Sequence, residues 1–234
     1  MKKLLTLFIS ILILSGCSVP VKKVSTSSAS KIAIATALAN QLDIQTIGTT
    51  IFNNKSMKGK VTGTPIPARI RAIASSAINS SNKARVVKSN GSLDIPSSSV
   101  TRSLWAGTVG IKNKAALTQK AKAMGADFLL LITGNGMEDP FYGTTAFIEN
   151  IGVVQRSVFG LKRANSHAIL NMIVFDTKTS AIISEKSIFV QHPRAGKPWI
   201  TPRRLPSPAD TEEILSQLPI KKHIASALSE MGLR

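Results

Sequence analysis

Few residues of this chain have the types and spacing that catalysis or metal binding requires. The histidines are His167, His192 and His223, which lie apart in the sequence, and no Gly-x-Ser-x-Gly motif accompanies them. A catalytic nucleophile needs a base within hydrogen-bond reach, and a metal ion needs clustered ligands. The sequence therefore predicts a protein that is not an enzyme and that has no cofactor and no metal site.

Residues 134–142 contain two motifs that could bind an ion. The adjacent carboxylates of Glu138 and Asp139 could hold a divalent cation, and the Gly-Asn-Gly stretch before them could form a backbone nest for a phosphate. Adjacent side chains on a turn usually point apart, and the glycines lack the lysine and the helix of a phosphate-binding loop. We therefore expect a solvated loop here. We also expect Asp127, at a strand start, to be a structural hydrogen-bond acceptor.

The strongest candidate for binding is a proline-rich segment, residues 192–208, which reads HPRAGKPWITPRRLPSP and holds five of the chain's 11 prolines. Trp199 lies in this segment among four basic residues, which are Arg194, Lys197, Arg203 and Arg204. Tryptophan and arginine are enriched at binding hot spots, and proline reduces the cost of ordering a loop. The pattern predicts a docking loop for a partner or for an anionic envelope polymer. The alternative is that Trp199 packs onto the protein's own core.

The only cysteine, Cys17, follows a segment that is typical of a bacterial secretory signal. Two lysines follow Met1, residues 4–14 are almost all apolar, and small residues precede the cysteine. The apolar run is shorter than the ~20 residues of a membrane-spanning helix. The stretch LSGC resembles the lipobox of bacterial lipoproteins, which implies that Cys17 is the first mature residue and carries a lipid anchor. The alternative is an ordinary signal with a cysteine there by chance.

These features predict three parts of the chain. Residues 1–16 are a signal peptide, residues 17–30 are a lipidated tether that is flexible by its serine-rich composition, and residues 31–234 are one periplasmic domain. In proteobacterial lipoproteins an aspartate after the cysteine favours retention in the inner membrane, so Ser18 implies the outer membrane. We therefore expect the domain to face the periplasm, held to the outer membrane through Cys17.

Net positive charge is the strongest bulk property of the sequence. Removal of residues 1–16 leaves 28 basic and 12 acidic residues, a net charge near +16. In an envelope lipoprotein such a charge could attract lipopolysaccharide, anionic phospholipid headgroups or cell-wall polymers. The alternative is that the charge only keeps the protein soluble. Only 5% of the residues are aromatic, which argues against a base-stacking surface, so we expect no nucleic-acid partner.

Apolar periodicity predicts a mixed α/β sandwich with helices packed on a central sheet, in a single compact domain. The predicted strands are residues 31–38, 42–53, 84–88, 127–133, 146–160, 167–176 and 181–191. The predicted helices are residues 65–82, 112–124 and 209–232, the last broken at Pro219. Residues 53–64 and 89–110 are predicted to be loops.

The stretches AKAMGADFLLLITG and HAILNMIVFDTKTSAIISEKS together resemble a pattern found in periplasmic lipoproteins. That group includes the curli-secretion lipoprotein CsgG, the peptidoglycan-synthase activator LpoB and the amino-terminal domain of TolB. The resemblance covers about residues 31–191 and implies an α/β fold like that of anticodon-binding domains. It also implies an accessory or assembly role through interaction with an envelope partner. Thr179-Ser180 stands where the pattern has Thr-Gly, so this turn must form without glycine.

Overall fold

The computed structural model describes residues 21–48, 54–61, 63–87, 93–102, 109–158, 161–195, 200–201 and 205–234. The strands are β1 Lys31–Ala37, β2 Gln41–Ile47, β3 Lys55–Lys60, β4 Arg85–Val86, β5 Val100–Arg102, β6 Val109–Ile111, β7 Phe128–Gly134, β8 Gly136–Glu138, β9 Phe147–Glu149, β10 Ile151–Val158, β11 Leu161–Asp176 and β12 Ile182–Pro193. The helices are α1 Ile66–Asn79, α2 Lys114–Ala123, α3 Pro208–Gln217 and α4 Ile220–Glu230.

A mixed sheet of eight of these strands is organised around the long strand β11. Strand β12 pairs with residues 165–175 of β11 along one edge. On the other edge, β10 pairs with residues 161–168 and β7 pairs with residues 170–176, so these two strands lie end to end. The sheet therefore forks at β11. We call β7, β1 and β4 the apolar branch, and β10, β2 and β3 the polar branch.

The two faces of this sheet are covered by different elements. Helices α1, α3 and α4 cover one face across both branches. On the opposite face, α2 and the β5–β6 ribbon cover the apolar branch. The loop of residues 139–146 and the β8–β9 ribbon cover the polar branch on that same face. The predicted fold class, a central mixed sheet with packed helices, is confirmed.

Local sequence explains where the helices begin and end. Helix α1 has prolines in its first turn and buries Ile66, Ile70 and Ala74 at helical spacing. Ser207 caps α3 in a capping box with Asp210. Pro219 separates α3 from α4, as its position in the apolar pattern predicts.

The structure tests two local predictions, one for residues 55–60 and one for the turn after β11. Residues 55–60 were expected to form a loop, but they form the edge strand β3, where three lysines discourage pairing with another sheet. The turn after β11 forms without glycine because Ser180 adopts a left-handed conformation with φ of 57°. The Ser180 hydroxyl lies 2.6 Å from that of Thr118 on α2, which fixes the turn against the helix.

Residues 21–30, which the sequence assigns to the flexible tether, pack against the domain as an amino-terminal strap. The Val24 N–H donates to the Met231 carbonyl at 2.8 Å, and the Thr26 hydroxyl donates to the Gly232 carbonyl at 2.7 Å. Val24 is only 7% exposed. The strap therefore joins the start of the described chain to the carboxyl end of α4.

Candidate functional site

The proline-rich segment leaves the sheet at the end of β12 and is fixed there by Arg194. The Arg194 N–H donates to the Ala164 carbonyl at 2.8 Å, and its side chain is 5% exposed. Burial lowers the pKa of this guanidinium from its ordinary value, while the carboxylates of Glu213 and Asp210 on α3 oppose that shift. The Arg194 side chain therefore faces inward, toward α3.

A second fixed point lies at the middle of the segment, where Ile200 contacts Gln155 of β10. The Ile200 N–H donates to Gln155 Oε1 at 2.9 Å, and Gln155 Nε2 donates to the Ile200 carbonyl at 2.8 Å. Gln155 is fully buried and its amide also donates to Thr46 Oγ1 at 3.1 Å. The side-chain amide thus pairs with Ile200 as a neighbouring strand would, which holds this point of the segment on the sheet.

The carboxyl end of the segment is fixed by the start of α3. The Ser207 hydroxyl accepts the Asp210 N–H at 3.1 Å, and the Asp210 carboxylate accepts the Ser207 N–H at 3.0 Å. Pro206 packs near Gly59 of β3, since a Cβ placed on that glycine would lie 3.7 Å from the proline ring. Leu205 is half exposed. The segment is therefore attached to β11, β10 and α3 in turn.

Several predicted site residues lie outside the described residues. These are Cys17, Lys197, Trp199, Arg203 and Arg204, and their roles remain predictions. The fixed points bracket them in sequence, because Arg194 precedes Lys197, Ile200 follows Trp199, and Ser207 follows the two arginines.

Of the three histidines, the structure encloses His167 within the fold. His167 is fully buried on β11, and burial lowers its pKa to about 4, so it is neutral at pH 7. Its Nε2 lies 3.1 Å from the Glu149 carbonyl oxygen. The adjacent Ser166 points to the opposite face of the strand, as alternate residues do. His167 is therefore a packed residue of this strand.

The acidic candidates have structural roles. Asp139 is buried and accepts the N–H groups of Phe141, Tyr142 and Thr144, so it organises its own turn. Glu138 is exposed on β8. Asp127 accepts the Lys31 N–H at 2.9 Å, as expected. Within the described ranges, no three histidine, cysteine or acidic residues form a group that could hold a metal ion.

The Gly-Asn-Gly stretch at the end of β7 does not present a phosphate nest. The Asn135 N–H donates to the Ile169 carbonyl at 2.8 Å, and the Gly136 N–H donates to the Asn135 side chain at 2.8 Å. Both N–H groups are therefore paired within the protein and are not available to a phosphate.

Charge is distributed unevenly along the chain, a feature that the sequence contains but that a total charge conceals. Residues 44–126 contain 13 basic residues and a single acidic one, Asp94. Ten of the 12 carboxylates accept a hydrogen bond or form an ion pair within the fold. Most acidic residues therefore serve the structure, and most of the basic residues that the structure describes are exposed.

Comparison with known proteins identifies no family. No family model matches the chain, and no curated protein sequence matches it. Among the described residues, no helix combines the length and the apolar character that crossing a membrane requires.

Some solved structures share the general arrangement at low similarity. The PelC dodecamer from Paraburkholderia phytofirmans is 14% identical with a TM-score of 0.40, covering 91% of this chain and 94% of that one. The LpoB carboxyl-terminal domain from Salmonella enterica is 13% identical with a TM-score of 0.32, covering 80% and 94%. The lipoprotein GNA1162 from Neisseria meningitidis is 10% identical with a TM-score of 0.31, covering 80% and 94%. Similarity this low transfers no function to this chain.

Proposed function

We propose that this protein is a non-catalytic lipoprotein of the bacterial envelope that docks a protein partner through its proline-rich segment. The lipid on Cys17 anchors it to the outer membrane, with the domain facing the periplasm. The observation that carries the proposal is the attachment of the segment at Arg194, Ile200 and Ser207. Attachment at these points reduces the conformational entropy that the segment loses on binding, which favours recognition.

The buried chemistry near the segment supports binding rather than catalysis. His167 is neutral and enclosed, and its neighbour Ser166 lies on the other face of β11. Gln155 makes hydrogen bonds to main-chain groups of Ile200, which is a positioning role. Trp199 adjoins this point, so we expect it to supply the central contact with the partner.

Capture of partners from the native envelope tests this proposal. The acylated protein is used as bait at about 50 mM and about 500 mM salt, beside Trp199→Ala and a matched control, Trp105→Ala, at the only other tryptophan. We expect a defined protein that stays bound at high salt, and roughly ten-fold less of it with Trp199→Ala. Equal capture by the two variants would contradict docking through the segment.

A second function, binding of an anionic envelope polymer, is favoured by the charge of residues 44–126. Lys120 and Lys122 are exposed on α2, which carries no acidic residue. Binding of this kind weakens steeply as salt rises, because dissolved ions screen the attraction between the lysines and the anionic polymer. The same experiment separates the two functions, since captured lipopolysaccharide or cell-wall polymer would wash off at high salt and would be unaffected by Trp199→Ala. Lys120→Gln with Lys122→Gln would then reduce that capture.

A further inference from the structure

The amino-terminal strap is attached to the domain along its length. Val21 packs against the main core, Val24 is buried, and Gly232 has no room for a side chain because a Cβ would lie 2.5 Å from the Val24 carbonyl oxygen. A turn follows in which the Ser30 N–H donates to the Ser27 carbonyl at 2.8 Å, and the Arg85 N–H then donates to the Ser30 carbonyl at 2.9 Å. The strap thus runs from the end of α4 to the β4 edge of the sheet.

Attachment of the strap limits how far the domain can stand from its anchor. Four residue steps separate Cys17 from Val21. Whatever conformation they adopt, they span at most about 14 Å, since an extended chain covers about 3.5 Å per residue. A tether that was free through residue 30 would span about 45 Å when extended. The packed strap removes most of that length.

We infer that the strap holds the domain directly against the membrane that contains the lipid of Cys17, with its basic residues facing anionic phospholipid headgroups. This inference rests on the proposed anchoring at Cys17. It goes further because it fixes which side of the domain faces the bilayer. That side is the carboxyl end of α4 and the β4 edge.

The charges along the strap fit an anionic lipid surface. Lys22 and Lys23 are exposed on the strap, and Arg234 is exposed beside the buried Leu233. Glu230, the last residue of α4, already pairs with Lys186 at 2.7 Å. Lysine and arginine side chains near a membrane surface are attracted to its negative potential.

The second end of the strap presents two cations side by side. Lys31 and Arg85 are direct partners in the parallel pairing of β1 with β4, and both are exposed. They line an open depression of about 500 Å³ together with Ser28 and Ala29. Like charges in register repel, and an anion between them relieves the repulsion. Asp127 bonds the Lys31 N–H, so its carboxylate offsets part of this charge. A lipid phosphate fits the remaining positive charge.

Labelling at introduced cysteines tests the orientation in the full acylated protein. Because acylation blocks Cys17, a fluorophore reacts only with the new thiol. Ser229→Cys lies at the carboxyl end of α4, and Thr145→Cys lies on the opposite face of the sheet as a matched control. Each labelled protein is reconstituted in vesicles of phosphatidylethanolamine and phosphatidylglycerol that contain a lipid with a nitroxide at its headgroup. We expect roughly two-fold stronger quenching at residue 229 than at residue 145.

A longer tether provides the decisive comparison and leaves the sequence of the folded domain unchanged. Insertion of about ten glycine and serine residues after Ser18 adds about 17 Å of flexible reach and should abolish the difference in quenching. Replacement of phosphatidylglycerol by phosphatidylcholine should reduce the difference. Equal quenching at the two positions, or a difference that the insertion leaves unchanged, would overturn the inference. Labelling of the parent protein at a free Cys17 thiol would instead overturn the proposed anchoring, and the inference with it.

Discussion

The two branches of the sheet are stabilised by different interactions. The apolar branch buries Ala33, Leu129 and Leu131 beneath α2, so shape complementarity between hydrocarbon side chains holds it. The polar branch buries Asp43, Gln155 and, at its junction with β11, His167. Buried polar groups are stable only when paired, so this branch depends on specific hydrogen bonds. The proline-rich segment is attached to the polar branch. The candidate binding site therefore lies on the branch that specific buried hydrogen bonds stabilise.

Asp43 shows how the polar branch is assembled. One carboxylate oxygen pairs with Lys58 of β3, and the other accepts from Asn150 Nδ2 at 2.6 Å. Asn150 is the residue between β9 and β10 and has a left-handed conformation, with φ of 56°. Gly152 lies so close to the Asp43 main chain that no side chain fits. The buried Asp43 carboxylate therefore links β2 to β3 and to the residue that precedes β10.

The largest expected effect is at Gly152. A Cβ there would lie 1.7 Å from the Asp43 carbonyl oxygen, so Gly152→Ala must separate two paired strands. We expect the free energy of unfolding to fall by about 4 kcal/mol, measured by chemical denaturation. The matched control is Gly59→Ala on β3, whose Cβ would have its closest contact, at 3.0 Å, with the flexible end of the Ile44 side chain. Comparable losses at the two glycines would show that β10 and β2 are not held this closely.

Leu131→Ala tests the apolar branch. Leu131 is fully buried between the sheet and α2, and removal of its side chain should cost about 3 kcal/mol through lost burial and a residual cavity. Because the other members of its cluster are hydrophobic residues, the loss should be the same at pH 7 and pH 5. A loss that depends on pH would show that the two branches are energetically coupled.

Acid should weaken the polar branch through His167. Its pKa is lowered to about 4 in the folded protein, while the unfolded chain binds the same proton near pH 6.5. Stability is therefore lost as pH falls from about 6.5 to about 4, by about 2 kcal/mol at pH 5. His167→Gln should remove this pH dependence, and His192→Gln, at a partly exposed histidine, should retain it. An unchanged pH profile of stability in His167→Gln would show that His167 is not the group that weakens the fold in acid.

The smallest effect compares two asparagines with nearly the same left-handed backbone. Asn113 (φ of 57°) precedes α2 and makes no side-chain capping bond, so Asn113→Gly should stabilise the protein by about 0.5 kcal/mol. Asn150→Gly relieves the same backbone cost but removes the hydrogen bond to Asp43, so it should destabilise by about 1 kcal/mol. Thermal unfolding of both variants gives the signs. Stabilisation by both would mean that the Asn150 bond contributes little.

The branches also differ in what their sequences predict. Strands β1 and β7 and helix α1 follow from apolar runs and helical spacing, and the structure confirms them. Strand β3 was missed because its sequence, KSMKGK, has too little apolar alternation to indicate an edge strand. Strand β11 begins six residues before the predicted start, at polar residues that the pairing with β10 makes extended. Neighbouring strands, not local preference, determine these elements.

The candidate site was predictable in composition but not in its attachment. Proline, tryptophan and arginine marked the segment in the sequence. The contacts that hold it join residues far apart in the chain, as Gln155 and Ile200 do across 45 positions. The burial of Arg194 toward α3 likewise depends on tertiary packing. A single sequence contains no local signal for such pairs.

The most direct test of the account removes the central attachment and measures partner capture at high salt. Gln155→Leu keeps a buried side chain of similar size but removes both hydrogen bonds to Ile200. Gln45→Leu is the matched control, because it removes one hydrogen bond, to the Phe147 carbonyl, on the opposite face of the same branch. We expect Gln155→Leu to lose most of the captured partner while Gln45→Leu retains it, with both proteins folded by circular dichroism. Full capture by a folded Gln155→Leu protein would contradict the claim that the attached segment is the docking site.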